Sequence, residues 1–100
     1  MGPNLISRDE VLRELRVVKE ELGARYGVTR MGVFGSVARN ETNSESDVDV
    51  VVEMTPNLFM RAGLKAELEL RFGKPVDVVR YRRGMDSRLK RRIDCEALYV

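Results

Sequence analysis

The segment Ser46-Asp47-Val48-Asp49-Val50-Val51-Val52 constrains the fold more than any other part of the chain. β-branched residues at this density favour an extended strand. Along a strand, alternation sends Asp47 and Asp49 to one side while Val48, Val50 and Val52 point to the other. The valine side needs a helix layer to bury it, and the acidic side is free for chemistry. A sheet with different work on its two faces is therefore expected, with this strand inside it.

Size sets the frame for that sheet. A chain of 100 residues buries about 60 to 70% of its unfolded surface, enough for one core. Residues 1–100 are therefore expected to form one domain. With 43% hydrophobic and 34% charged residues, the composition is globular rather than disordered. No apolar run is long enough to span a bilayer, and Met1-Gly2-Pro3-Asn4 lacks the basic and apolar regions of a signal peptide, so a cytoplasmic address is expected. The formal charge of +2 is too small to mark a nucleic-acid binder, and no direct nucleic-acid contact is expected. Cys95 is the single cysteine and histidine is absent. An internal disulfide, a Cys/His zinc site and a histidine-based triad are thereby excluded. Carboxylates and a metal must carry any catalysis.

Around the acidic strand, the pattern alternates helix and strand. Ser7 and Glu10 form a capping-box pair ahead of Val11, Leu15, Val18 and Leu22 at helical spacing, with Gly23 as the expected stop. Val28 to Phe34 alternates and is β-rich, Ser36 to Arg39 opens a short helix, and a polar stretch leads to the strand from Asp47 to Met54. Thr55-Pro56-Asn57 starts a helix with Leu58, Ala62, Leu64, Leu68 and Phe72, closed by Gly73. Pro75 to Tyr81 is a third strand, and Asp86 caps a last helix with Leu89, Ile93 and Ala97 inward. Met54, Phe59 and Met60 are assigned to the core. The fold class is α/β (α+β), a small mixed sheet of three or more strands covered by helices. The pattern does not give the strand order.

Asp77 lies between Val76 and Val78, so it too projects from the face that does not feed the core. Asp47, Asp49 and Asp77 on one face repel one another unless a cation lies between them. Magnesium commonly takes one or two protein carboxylates and completes its shell with water and substrate phosphates. Just upstream, Gly35-Ser36 makes a turn where glycine admits a phosphate close to the backbone and the serine hydroxyl donates to it. The combination reads as a site for a metal-bound nucleotide. Arg39 is a candidate for a phosphate or motif-stabilising contact, or equally a helix-surface arginine. Glu53 continues the carboxylate face and reads first as a solvent-facing strand residue, otherwise as a support for the acids. The basic run Arg80, Arg82, Arg83, Arg88, Lys90, Arg91 and Arg92 reads first as a solvated helix face with loop charges, and otherwise as a funnel toward the triphosphate, a contact for an acidic partner face, or an RNA-backbone contact.

Gly35-Ser36, ten intervening positions, Asp47-x-Asp49, then Gly73-Lys74-Pro75-Val76-Asp77-Val78-Val79 and the closing Ile93-Asp94-Cys95-Glu96-Ala97-Leu98-Tyr99 together resemble the minimal nucleotidyltransferases of the DNA polymerase β-like superfamily. The likeness runs from about Val28 to Val100. It implies the nucleotidyltransferase fold, Mg2+, a nucleoside triphosphate (most often ATP), and transfer of a nucleoside monophosphate to a hydroxyl with release of pyrophosphate. On that resemblance Asp47, Asp49 and Asp77 would be the catalytic and metal-binding acids, with Asp77 near the acceptor hydroxyl. Gly35 and Ser36 would hold the triphosphate, with Arg39 beside them. Many such proteins are antitoxins whose partner is an all-helical HEPN ribonuclease toxin, and some adenylylate a tyrosine of that toxin. Homo- or hetero-oligomers are also implied. Asn40 departs from the pattern, standing where a glycine commonly follows the arginine; asparagine tolerates positive φ better than most residues. Two other readings follow from the same residues: a non-catalytic module that neutralises its partner by steric occlusion, and a small-molecule modifier, which the short length disfavours.

Overall fold

The computed structural model describes residues 7–42 and 46–100. The segment Met1 to Asn4 and the middle of the polar stretch lie outside them. The chain order is α1 (Arg8–Tyr26), β1 (Val28–Phe34), α2 (Gly35–Ala38), β2 (Val48–Met54), α3 (Leu58–Phe72), β3 (Val76–Arg80), α4 (Ser87–Glu96) and β4 (Leu98–Tyr99). The strands form a four-stranded mixed sheet in the order β3-β2-β1-β4. β1 runs antiparallel to β2 and to β4, while β2 and β3 are parallel. The parallel pair is joined by α3, as a crossover connection requires.

The helix ends follow their capping residues. Ser7 Oγ accepts from the Glu10 amide at 3.1 Å, and Glu10 Oε1 accepts from the Ser7 amide at 3.1 Å. Asn57 accepts from the Met60 amide and Asp86 from the Leu89 amide, each at 3.0 Å. α1 differs from expectation by running through Gly23 and ending at Gly27, which has φ 70°. Ala24 and Arg25 sustain the helix. Gly23 answers instead to packing, since a Cβ there would meet the Val28 carbonyl oxygen at 2.9 Å.

Two cores flank the sheet. On one face Leu15, Leu22, Leu64 and Leu68 of α1 and α3 bury Val48, Val50 and Val52, as the alternation of β2 requires. On the other face Ile93 of α4 seals Phe34 and Val51. This second core corrects the expectation of a face left wholly to chemistry: α4 covers part of it. The alternation expected for β1 is likewise lost, because Met31 to Phe34 of this central strand are all buried. Leu58, Phe59 and Met60 are 74%, 90% and 41% exposed, so the core assignment fails for Phe59 and Met60 and holds for Met54. α3 buries only Leu64 and Leu68, and its first turn stands off that stripe. Ala97 lies just past α4, and packs against the second core. β4 went unread because it is two residues long, too short to show a period. Among the described residues, no helix is long and apolar enough to cross a membrane.

Candidate active site

Three elements bring the acids together. Asp49 is the second residue of β2 and pairs with Phe34 of β1 on one side and with Asp77 of β3 on the other. Neighbouring strands lie about 4.8 Å apart, so the two carboxylates are side by side on the face shared with α4. Asp47 precedes β2 and is exposed, Asp77 is exposed, and Asp49 is half-buried. Burial pushes the Asp49 carboxyl above the ordinary carboxylate range; Asp77, then Asp47, push it further, while Arg92 and Arg39 pull it back. Strand pairing thus brings Asp49 and Asp77 together, while Asp47, outside β2, reaches Asp49 through its charge.

The Gly35-Ser36 turn is built against this acid. Gly35 begins α2 with φ 75°, a left-handed conformation that favours glycine. A Cβ on Gly35 would lie 2.1 Å from Asp49 Oδ2, so the position is closed to side chains for both reasons. Ser36 is half-buried in the first turn of α2, where amides have no acceptor within the helix. Asn40 holds φ 59°, so it does adopt the left-handed conformation for which its residue type is suited.

The end of α4 holds the turn in place. Glu96 Oε1 accepts from the Gly35 amide at 3.0 Å and from Arg39 Nη1 at 3.0 Å. Arg39 also donates to Glu41 at 3.0 Å. Its guanidinium is held more firmly charged, first by the Glu41 hydrogen bond and then by the charges of Glu96 and Glu41. Arg39 thus supports the turn in this structure through Glu96, the motif-stabilising role among those read for it. Arg92, one turn before Glu96, lies with its guanidinium carbon 5.7 Å from the Phe34 ring centre and within electrostatic reach of Asp49. Glu96 did not stand out as a site residue in the sequence, and Arg92 did so only within the basic run. Their i, i+4 spacing places them on one face of α4, and that spacing was the available signal. Glu53 pairs with Arg30 at 3.3 Å and lies at the far end of β2 from Asp47.

The residues present suit a hard divalent cation. Their donors are carboxylate oxygens, and the excess negative charge around Asp49 is of the kind a cation relieves. The carboxylates are adjacent without being drawn into a closed set: among the described residues, no group of three acids, histidines or cysteines is arranged to hold a metal. Substrate phosphates would complete such an open set.

A mixed sheet with acids at the β2–β3 pair beside a glycine turn has the chemistry to receive a cation and a phosphate together. Residues 15–99 match the nucleotidyltransferase domain family, and the chain belongs to it. It is 35% identical over 98 residues to the protein adenylyltransferase MntA of Thermococcus cleftensis, covering 96% of this chain and 98% of that one. It is 44% identical over 78 residues to MJ0435 of Methanocaldococcus jannaschii, covering 76% and 83% of the two. Among solved structures, a protein assigned as a minimal nucleotidyltransferase superposes with TM-score 0.75 at 39% identity, covering 93% and 95% of the chains. A toxin–antitoxin complex solved with AMP-PNP contains the same fold, with TM-score 0.71 at 22% identity and coverage of 88% and 72%.

Proposed function

We propose that the chain transfers AMP from ATP to a hydroxyl of a partner protein, a tyrosine of a HEPN-type toxin, and thereby acts as an antitoxin. The observation that carries this reading is the pairing of Asp49 with Asp77 over a glycine turn that fits no side chain. The match to a protein adenylyltransferase over 96% of this chain supports a protein acceptor, and the fold it shares with toxin–antitoxin complexes is consistent with a toxin in that role.

In this reading Asp47, Asp49 and Asp77 would hold Mg2+, which would neutralise the triphosphate and the departing pyrophosphate. Ser36 and the α2 amides that follow Gly35 donate to phosphate oxygens, and Gly35, its own amide held by Glu96, keeps that approach open. Asp77, the more exposed of the paired acids, accepts the proton of the acceptor hydroxyl. The hydroxyl oxygen then forms a bond to the α-phosphorus as the bond to pyrophosphate breaks. Arg92 stands where it can face the negative charge developing on the leaving group.

The test is incubation of the chain with Mg2+ and ATP, with and without the protein encoded beside it, followed by intact mass. A gain of adenylyl units on that neighbour, lost in Asp47→Asn, is the expected result. Tight binding of the neighbour without any mass gain would instead favour occlusion.

A further inference from the structure

β3 is an edge strand, and its backbone shows which groups face outward. The Tyr81 amide donates to the Val52 carbonyl at 2.8 Å, and the Pro75 carbonyl accepts from the Val48 amide at 3.1 Å. Odd-numbered residues therefore bond to β2, and Val76, Val78 and Arg80 direct their amides and carbonyls away from the sheet. At Val76 both groups are satisfied by α3: the amide donates to Glu69 at 3.0 Å and the carbonyl accepts from Lys65 at 2.8 Å. Val78 and Arg80 have no such side-chain partner among the described residues. The edge is closed next to Val76 and open beyond it.

That open edge forms the floor of a groove of about 610 Å3 between α3 and the segment leading into α4. Asp77 lies at one end, and Arg61, Arg80 and Arg82 line it, with Leu58 and Leu89 as apolar walls. Lys65 and Asp86 also line it, but Lys65 is paired with Glu69 and Asp86 caps α4. Arg61, Arg80 and Arg82 have no ion-pair partner among the described residues. Leu58, 74% exposed at the lip, adds an apolar contact.

We infer that this groove receives an extended acidic segment of the protein acceptor, which adds to β3 as a further strand and presents its hydroxyl at Asp77. The inference rests on the protein-acceptor reading above. Strand addition supplies affinity through the main chain, and pockets for alternate side chains supply selectivity. Unpaired arginines select carboxylates. A polynucleotide would satisfy the arginines but leave the strand-edge amides and carbonyls without partners, which is why a peptide is favoured. Arg80 lies three residues beyond Asp77 in the strand, about 10 Å at the rise of a strand. The acidic side chains should therefore stand a similar number of residues from the hydroxyl.

The probe is a synthetic peptide of alternating glutamate and valine with one terminal tyrosine, and its control has lysine for glutamate. Binding is followed without nucleotide by fluorescence anisotropy and by amide hydrogen exchange. The acidic peptide should bind, the lysine peptide should not, and exchange should slow at Val78 and Arg80. Arg80→Pro removes an outward amide that edge strands can dispense with. It should weaken binding about two- to tenfold, the worth of one lost hydrogen bond. Arg61→Glu with Arg82→Glu, which leaves the backbone intact, should weaken it at least as much. Failure to bind, protection elsewhere, or displacement of the peptide by oligouridylate or ATP alone overturns the inference. Adding Mg2+ and ATP separates it from the reading beneath: docking with edge protection but no AMP on the tyrosine keeps the groove and sinks the transfer. Transfer without edge protection does the reverse.

Discussion

Replacing Gly35 by alanine tests whether the turn and the acid are one structural unit. Two costs apply. The residue sits at φ 75°, and a side chain in the left-handed region costs about 1 to 2 kcal/mol. The new Cβ would also lie 2.1 Å from Asp49 Oδ2 and 3.1 Å from Asp49 Cγ, so the carboxylate must move. Overpacking of this kind costs about 1 to 3 kcal/mol. The sum is about 2 to 5 kcal/mol, and each kcal/mol lowers Tm by roughly 4 to 8 °C in a domain of this size. Gly73 is the internal control: it has φ 66° and nothing within 4 Å of its Cβ position. Gly73→Ala should therefore lose only the backbone share. Asp49→Ala removes the obstructing oxygens, so Gly35→Ala should cost less in that background, approaching the Gly73 value. Urea denaturation of the single and double variants measures both differences. Equal losses for Gly35→Ala and Gly73→Ala, or strict additivity with Asp49→Ala, would refute the steric coupling.

Burial and the neighbouring acids raise the Asp49 carboxyl, so the folded chain holds that proton to higher pH than the unfolded chain. Stability then falls as pH rises from the ordinary aspartate range through the raised value. In EDTA, Asp49→Asn should be more stable than the parent above that window, by about 1 kcal/mol, and should lose the advantage below it. Denaturation midpoints across pH check the sign, and a variant less stable at neutral pH would contradict it. Glu96→Ala leaves the Gly35 amide and Arg39 without their carboxylate and should cost about 2 kcal/mol. Glu96→Gln keeps an acceptor for the amide and should cost clearly less by the same denaturation assay; equal losses would show that charge alone mattered.

The parts of this fold legible in the sequence are those governed by local rules. The caps at Ser7, Asn57 and Asp86 and the two-sidedness of Val48 to Val52 need only neighbouring residues to be recognised. The outward projection of Asp49 and of Asp77, each between valines, is local in the same way, whereas their pairing across β2 and β3 is not. What stayed hidden depends on distant chain. Phe34 is buried because Ile93 reaches it from α4, and no pattern within β1 announces that. Glu96 lies sixty-one residues from the Gly35 amide that it accepts from, and in sequence it is one acid in a charged helix. Phe59 was misplaced because an aromatic residue in a helix usually reports core, whereas the position of the sheet decides which turn of α3 finds cover.

α4 is the element through which fold and site become inseparable. Ile93 closes the second core, while Arg92 and Glu96 on either side of it face Asp49 and the glycine turn. A helix that merely shielded the sheet could have been replaced by any apolar stripe. This one carries a cation toward the acids and a carboxylate to the turn on the same face that seals Phe34. The chain directs its own charges inward where burial raises Asp49, and accepts the repulsion among Asp47, Asp49 and Asp77 that a sheet without chemistry would avoid. The fold therefore holds a negatively charged centre open beneath the one helix that can brace it. That is the arrangement a phosphate-bearing substrate with its counter-ion would complete.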